Sequence, residues 1–129
     1  GQIDDLGMNG KITLTGRVTN VAEHLAKASI FALPSRFEGT PNALLEAMSV
    51  GVAPVISDTT AGALEYVEDQ ENGLIIPVED VDGLANAFFQ LIENDTIRRD
   101  FAKRSIAKVQ HLSLPEVARI WQATIDKVP

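Results

Sequence analysis

Apolar residues in this chain fall into short runs separated by stretches with helical spacing. The runs Ile12-Thr13-Leu14-Thr15, Ile30-Phe31-Ala32-Leu33, Val52-Ala53-Pro54-Val55-Ile56 and Leu74-Ile75-Ile76 predict four strands. The later runs are continuous rather than alternating, which suits strands buried on both faces of a parallel sheet. Pro54 should then sit where no ladder donor is needed. Asn20 and Glu23 have capping-box spacing and predict a helix to about Ala28. Thr40 as N-cap, Pro41 as first helical residue and Gly51 as left-handed stop predict a helix over 41–50. A short helix over 63–67 precedes Asn72-Gly73.

Beyond Ile76 the pattern turns helical. Leu84, Phe88, Leu91 and Ile92 fall on one face. A second helix is expected after Asp95 or Thr96, with Ile97, Phe101 and Val109 on a common side. A Ser113–Glu116 capping box opens a third, striped by Leu114, Val117, Ala118, Trp121 and Ile125, with Trp121 as core anchor. The fold class expected is α/β, a Rossmann-like parallel sheet flanked by helices, with ligands beyond the carboxyl ends of the strands. Four strands are fewer than the about five or six of a doubly wound nucleotide domain. Residues 1–129 therefore read as one domain, a piece of a longer protein.

Charge and composition narrow the chemistry. With 18 acidic and 11 basic residues the formal net charge is -7, which repels phosphate backbones and argues against nucleic acid as a partner. Cys is absent, excluding a disulfide scaffold, a thiol nucleophile and Cys-ligated metal sites. No apolar run approaches the roughly 20 residues of a membrane span, and the start carries no basic segment followed by an apolar core. A soluble, cytoplasmic domain is expected. His24 and His111 lie on separate predicted helices without spaced partners and read as surface residues. There is no Gly-x-Gly-x-x-Gly, and Gly7-Met8-Asn9-Gly10-Lys11-Ile12 has the wrong spacing and ending for a phosphate loop.

The informative stretch is 34–51. A loop ending in Gly39 enters a helix directly after a strand, and unpaired first-turn amides with the helix dipole favour an anion there, typically a phosphate. Glu38 precedes that positive end. Glu46 belongs to a helix that is otherwise Ala43, Leu44, Leu45, Ala47, Met48 and Val50, where a carboxylate needs a partner or ligand. Asn42 lies four residues earlier on the same face. A carboxylate so placed can accept both hydroxyls of a ribose diol. In the competing structural account, Glu46 bonds to backbone of a neighbouring loop and Glu38 only complements the dipole.

The segment Pro34-Ser35-Arg36-Phe37-Glu38-Gly39-Thr40-Pro41-Asn42-Ala43-Leu44-Leu45-Glu46-Ala47-Met48-Ser49-Val50-Gly51 closely resembles the signature of retaining glycosyltransferases with the GT-B fold, the glycosyl transferases group 1 family. Gly16-Arg17-Val18, Gly51-Val52-Ala53-Pro54-Val55-Ile56, Gly62-Ala63-Leu64-Glu65 and Asn72-Gly73-Leu74-Ile75-Ile76-Pro77 resemble further family motifs in order. The resemblance implies that residues 1–129 are the C-terminal, donor-binding domain, without its first strand–helix units, of an enzyme that transfers a hexosyl group from a UDP-sugar or GDP-sugar with retention. By it, Glu38 touches the sugar hydroxyls as the catalytic residue and Glu46 the ribose. Backbone N–H groups around Gly39, Thr40 and Asn42, with Pro41 opening the helix end between them, hold the diphosphate, and Gly16, Arg17 and Val18 edge the base. No metal or other cofactor is implied, because protein donors neutralise the leaving group.

Nothing in the chain matches the family's upstream Arg and Lys clamp, and the acceptor saccharide or lipid is expected on an N-terminal domain. Gly62-Ala63 stands for the usual Gly-Gly and Leu64 for the usual Pro. Arg98, Arg99, Lys103, Arg104 and Lys108 form a basic run. It reads as a solvated face, with peripheral contact at the inner face of the membrane as the alternative. Arg36, beside the loop, is a secondary candidate that could approach the donor. A non-catalytic nucleotide-binding or regulatory module of the same fold is the rival function. A receiver-type domain lacks the acidic cluster it needs at the strand ends.

Overall fold

The computed structural model describes residues 1–59 and 61–125. In chain order the elements are α1 (Gln2–Asp5), α2 (Val21–Ala26), β1 (Ile30–Leu33), α3 (Asn42–Ser49), β2 (Ala53–Ser57), α4 (Ala61–Leu64), β3 (Leu74–Ile76), α5 (Val81–Glu93) and α6 (Asp95–Val109). A 3₁₀ turn (Gln110–Leu112) then leads into α7 (Leu114–Ile125). The three strands form a parallel sheet in the order β1-β2-β3. Register runs from Ile30↔Ala53 to Leu33↔Ile56, and from Val55↔Leu74 to Ser57↔Ile76.

Side-chain alternation along the strands builds two cores. Ala53, Val55, Leu74 and Ile76 face Ala87 and Leu91 of α5 and Phe101 of α6. Ile56, with Phe31, Leu33 and Ile75 beside it, packs on Leu44 and Met48 of α3 and Ala63 of α4. Val109 joins this second cluster, so α6 reaches both faces of the sheet. Pro54 lies in the central strand but one residue before its ladder with β3 begins.

The end of α3 illustrates how firmly local chemistry sets the frame. Gly51 has φ +76, its amide donates to the Met48 carbonyl at 3.1 Å, and the Val52 amide donates to that of Ala47 at 3.1 Å. This paired closure requires a left-handed residue, which glycine adopts without strain, and it turns the chain directly into β2.

The structure departs from expectation at several points. Ile12–Thr15 is not a strand: Ile12 makes one isolated bridge to Asn9, and Leu14 is 82% exposed. An extended run needs a ladder partner, and among the described residues no strand lies alongside it. Asn20 does precede α2, but its side-chain amide donates to the Glu23 carboxylate at 2.7 Å instead of capping a backbone amide. Pro41, not Thr40, occupies the N-cap of α3, because the Asn42 amide turns back to the Thr40 carbonyl at 2.9 Å and delays the helix by one residue. The helix α4 begins two residues before the expected start at Ala63.

On α5, Ala87 replaces Ile92 on the core face, and Ile92 is 61% exposed. Asn94 caps α6 by accepting from the Ile97 amide at 3.1 Å, ahead of the expected Asp95 or Thr96. The side chains of Leu114, Val117, Trp121 and Ile125 lie outside the described residues, and with them the expected stripe and core anchor.

Candidate functional site

The segments that follow β1, β2 and β3 gather at the carboxyl ends of the strands, the edge where parallel sheets hold ligands. They are cross-tied. The Ser57 hydroxyl, buried at the end of β2, donates to the Ser35 carbonyl at 2.5 Å. The Asp58 carboxylate accepts from the Val78 amide at 2.9 Å, and its own amide donates to Ile76 at 2.9 Å. The Arg36 guanidinium meets the Glu79 carboxylate at 2.6 Å, bridging the loop after β1 to the loop after β3.

Within the first loop, the Ser35 hydroxyl donates to the Glu38 carboxylate, which is half-buried. Gly39 and Thr40 are exposed and Pro41 is buried. Gly62 of α4 lies against this loop so closely that a Cβ there would overlap the Gly39 carbonyl oxygen. That close approach accounts for the first glycine of the Gly62-Ala63 pair, while Ala63 itself fills the second core.

The N-cap residue of α3, Pro41, makes no side-chain cap hydrogen bond, whereas Asp80 caps α5 by accepting from the Gly83 amide at 2.8 Å. The opening turn of α3 thus directs amide dipoles toward the Glu38–Thr40 loop without a competing carboxylate or hydroxyl from its own cap.

Glu46 and Asn42 are both exposed, on the side of α3 away from the buried Leu44, Ala47 and Met48. The argument that a charge on this helix must be paired therefore fails: Glu46 is solvated. It borders a cavity of about 400 Å³ whose other walls are Leu45, Ser49, Ile106, Val109, Gln110, Leu112 and Ser113. Glu38 is not part of that wall. Gly16, Arg17 and Val18 lie in an irregular segment before α2, with Gly16 at φ +61 and Arg17 exposed. The Thr15 hydroxyl donates to the Gly16 carbonyl at 3.3 Å.

Other motif residues prove structural. The Asn72 side chain accepts from the Glu68 amide at 2.7 Å and donates to the Tyr66 carbonyl at 2.8 Å. The Asn72 backbone carbonyl accepts from the buried Ser105 hydroxyl at 2.9 Å. A Cβ on Gly73 would come within 2.8 Å of Pro54 and Val67. Sequence reasoning missed Ser57, Asp58 and Ser105; a lone hydroxyl ending a fully apolar strand was the available signal for the first.

The basic run of α6 is largely matched by acids. Arg98 and Arg99 pair with Asp95, Arg104 with Glu71 and Asp100, and Lys108 with Glu68. The Lys108 ammonium holds the Glu68 carboxyl below its ordinary range, and Arg119 does the same for Glu116. No helix among the described residues is long and apolar enough to cross a membrane. Among them no cluster of three His, Asp or Glu side chains could hold a metal ion.

Comparison with known proteins gives the family. The model of the family described as "Glycosyl transferases group 1" matches residues 2–94. An exopolysaccharide phosphotransferase of Streptomyces coelicolor is 30% identical over 93% of this chain, which spans 13% of that protein. A Campylobacter jejuni enzyme named N-acetylgalactosamine-N,N'-diacetylbacillosaminyl-diphospho-undecaprenol 4-alpha-N-acetylgalactosaminyltransferase is 28% identical over 91% of this chain, which spans 32% of it. The crystal structure of Anabaena HepE in complex with UDP superposes with a TM-score of 0.88 at 23% identity, covering 98% of this chain and 35% of HepE. The chain thus spans a third or less of these curated relatives and shares the α/β fold of the solved GT-B structure. By the extent of the family match, the chain belongs to the glycosyl transferases group 1 family.

Proposed function

We propose that this chain is the C-terminal, donor-binding part of a retaining hexosyltransferase, acting on a UDP-sugar or GDP-sugar. The observation that carries the reading is the N-terminus of α3, whose cap residue Pro41 offers no acceptor side chain, behind the Glu38–Gly39 loop at the carboxyl ends of three parallel strands. The amides of Gly39 and Thr40 and the N-terminal end of α3 receive the diphosphate. Glu38 accepts hydroxyls of the hexose. Glu46, beside its cavity, accepts the ribose hydroxyls, and the segment 16–18 edges the base. The relatives' transfer chemistry and the UDP-bound HepE fold support this assignment.

In the complete enzyme the bond from the anomeric carbon to the leaving phosphate oxygen breaks through an oxocarbenium-like state. The acceptor oxygen attacks the same face, and its proton passes to the departing phosphate. Amides of this chain stabilise the charge that develops on that phosphate. The acceptor, a saccharide, lipid-linked saccharide or small molecule, is held by an N-terminal part. The open edge of β1, half-buried along its length, is where an upstream strand would extend the sheet.

Isothermal titration of UDP and of GDP into the chain tests the donor assignment. Binding of either, lost or strongly weakened in Glu46→Ala, supports it; equal affinity in the wild type and the variant removes the ribose contact. Joining the upstream region should give hexosyl transfer with retained anomeric configuration, read by NMR of the product.

A further inference from the structure

Arg36 is the single Lys or Arg in the segments 34–41, 58–60 and 77–80 that follow the strands. The same segments carry Glu38, Asp58, Glu79 and Asp80. Asp58 and Asp80 accept from backbone amides, and Glu38 accepts from Ser35. Glu79 is different: its carboxylate is engaged by the Arg36 guanidinium at 2.6 Å. Both side chains are mostly exposed, 81% and 61%. Ion pairs in water hold weakly and exchange readily. Glu79 also sits at φ +63, a left-handed backbone that a non-glycine residue adopts only under local constraint. The turn after β3 therefore aims a carboxylate at Arg36 of the loop after β1.

We propose that the Arg36–Glu79 pair is an electrostatic latch on the donor site, in which an incoming nucleoside diphosphate competes with Glu79 for the Arg36 guanidinium. The inference rests on the donor reading given above and adds a phosphate-binding side chain and a residue that opposes it. A guanidinium bonds phosphate oxygens through two parallel N–H donors, and phosphate carries more charge than one carboxylate. Arg36 lies two residues before Glu38 and four before Thr40, on the loop that carries the diphosphate amides. In the latched state Glu79 neutralises Arg36. With diphosphate bound, Arg36 turns to the anion and Glu79 is released to solvent. The two partners of one ion pair thus act on donor affinity with opposite sign, which a purely structural bridge does not produce.

The test is titration of UDP, and separately GDP, into the full chain as wild type, Arg36→Gln, Glu79→Gln and the double variant. Arg36→Gln should weaken binding by about tenfold, as loss of a charge-assisted pair does. Glu79→Gln should tighten it by roughly threefold, and the double variant should behave as Arg36→Gln alone. Glu79→Asn, which tolerates the left-handed backbone better, should tighten it likewise. The differences should shrink as salt rises from 0.05 to about 0.5 M. Variants that shift affinity in the same direction, or leave it unchanged while the wild type binds, overturn the latch and spare the donor site. A wild type that binds neither nucleotide overturns both.

Discussion

The Ser57 hydroxyl donates to the carbonyl of Ser35 at 2.5 Å, tying the buried end of the central strand to the first residues of the Glu38 loop. Ser35 in turn donates its own hydroxyl to Glu38. The rigid sheet thus positions the loop carboxylate through two serines. Ser57→Ala leaves the Ser35 carbonyl without this donor and should destabilise the chain by about 1 kcal/mol. It should also weaken UDP binding more than that loss of stability explains. Urea denaturation and calorimetric titration of the same variant measure the two effects separately.

Gly62 tests how closely α4 must approach the loop. Gly62→Ala drives a Cβ into the Gly39 carbonyl and should cost about 1–3 kcal/mol while displacing the loop amides proposed to receive the diphosphate. Gly39→Ala meets nothing within 4 Å and should fold almost as the wild type does. Thermal melts of the two variants compare the predictions directly.

Glu46 separates function from stability. Because it is solvated, Glu46→Ala should change unfolding free energy by no more than about 0.5 kcal/mol. Asn72→Ala should do the reverse, costing about 2–3 kcal/mol through the backbone groups it leaves unbonded, with nucleotide affinity unchanged. A large stability loss in the first or an affinity loss in the second contradicts these assignments.

The acidic limb of the stability profile follows from Glu68. Lys108 lowers its folded-state carboxyl below the ordinary value of 4.5. A depressed carboxyl contributes stability above the unfolded value, and that contribution fades as pH falls through the folded one. Lys108→Met should therefore narrow the difference between stability at pH 7 and at pH 3, modestly because the pair is solvated. Denaturation midpoints at the two pH values check the sign.

Much of this architecture could be read from residue order, and the failures have identifiable causes. β1, β2, β3 and the stop at Gly51 were legible because apolar runs and a left-handed glycine carry their own local signal. Ile12–Thr15 misled because strand composition forms a strand only beside a partner, and local sequence does not report one. Thr40 was displaced as cap by the turn through Pro41, a one-residue shift within the reach of boundary error. In the site, the Glu38 loop and the α3 terminus were visible as a pattern. Expecting Glu46 to need a partner was wrong because helix composition does not say which side faces water. The ties from Ser57, Asp58 and Glu79 join segments about 20 to 40 residues apart, and only the parallel register brings them together.

The central claim is that the coil between β1 and α3 receives a nucleoside diphosphate. Chemical-shift mapping of UDP titrated into the ¹⁵N-labelled chain tests it most directly, with GDP as the second probe. The account predicts the largest perturbations at the amides of Glu38, Gly39, Thr40, Asn42 and Ala43, with smaller ones around Glu46. Perturbations absent with both nucleotides, or confined to residues remote from that coil such as the outer face of α5, would contradict it.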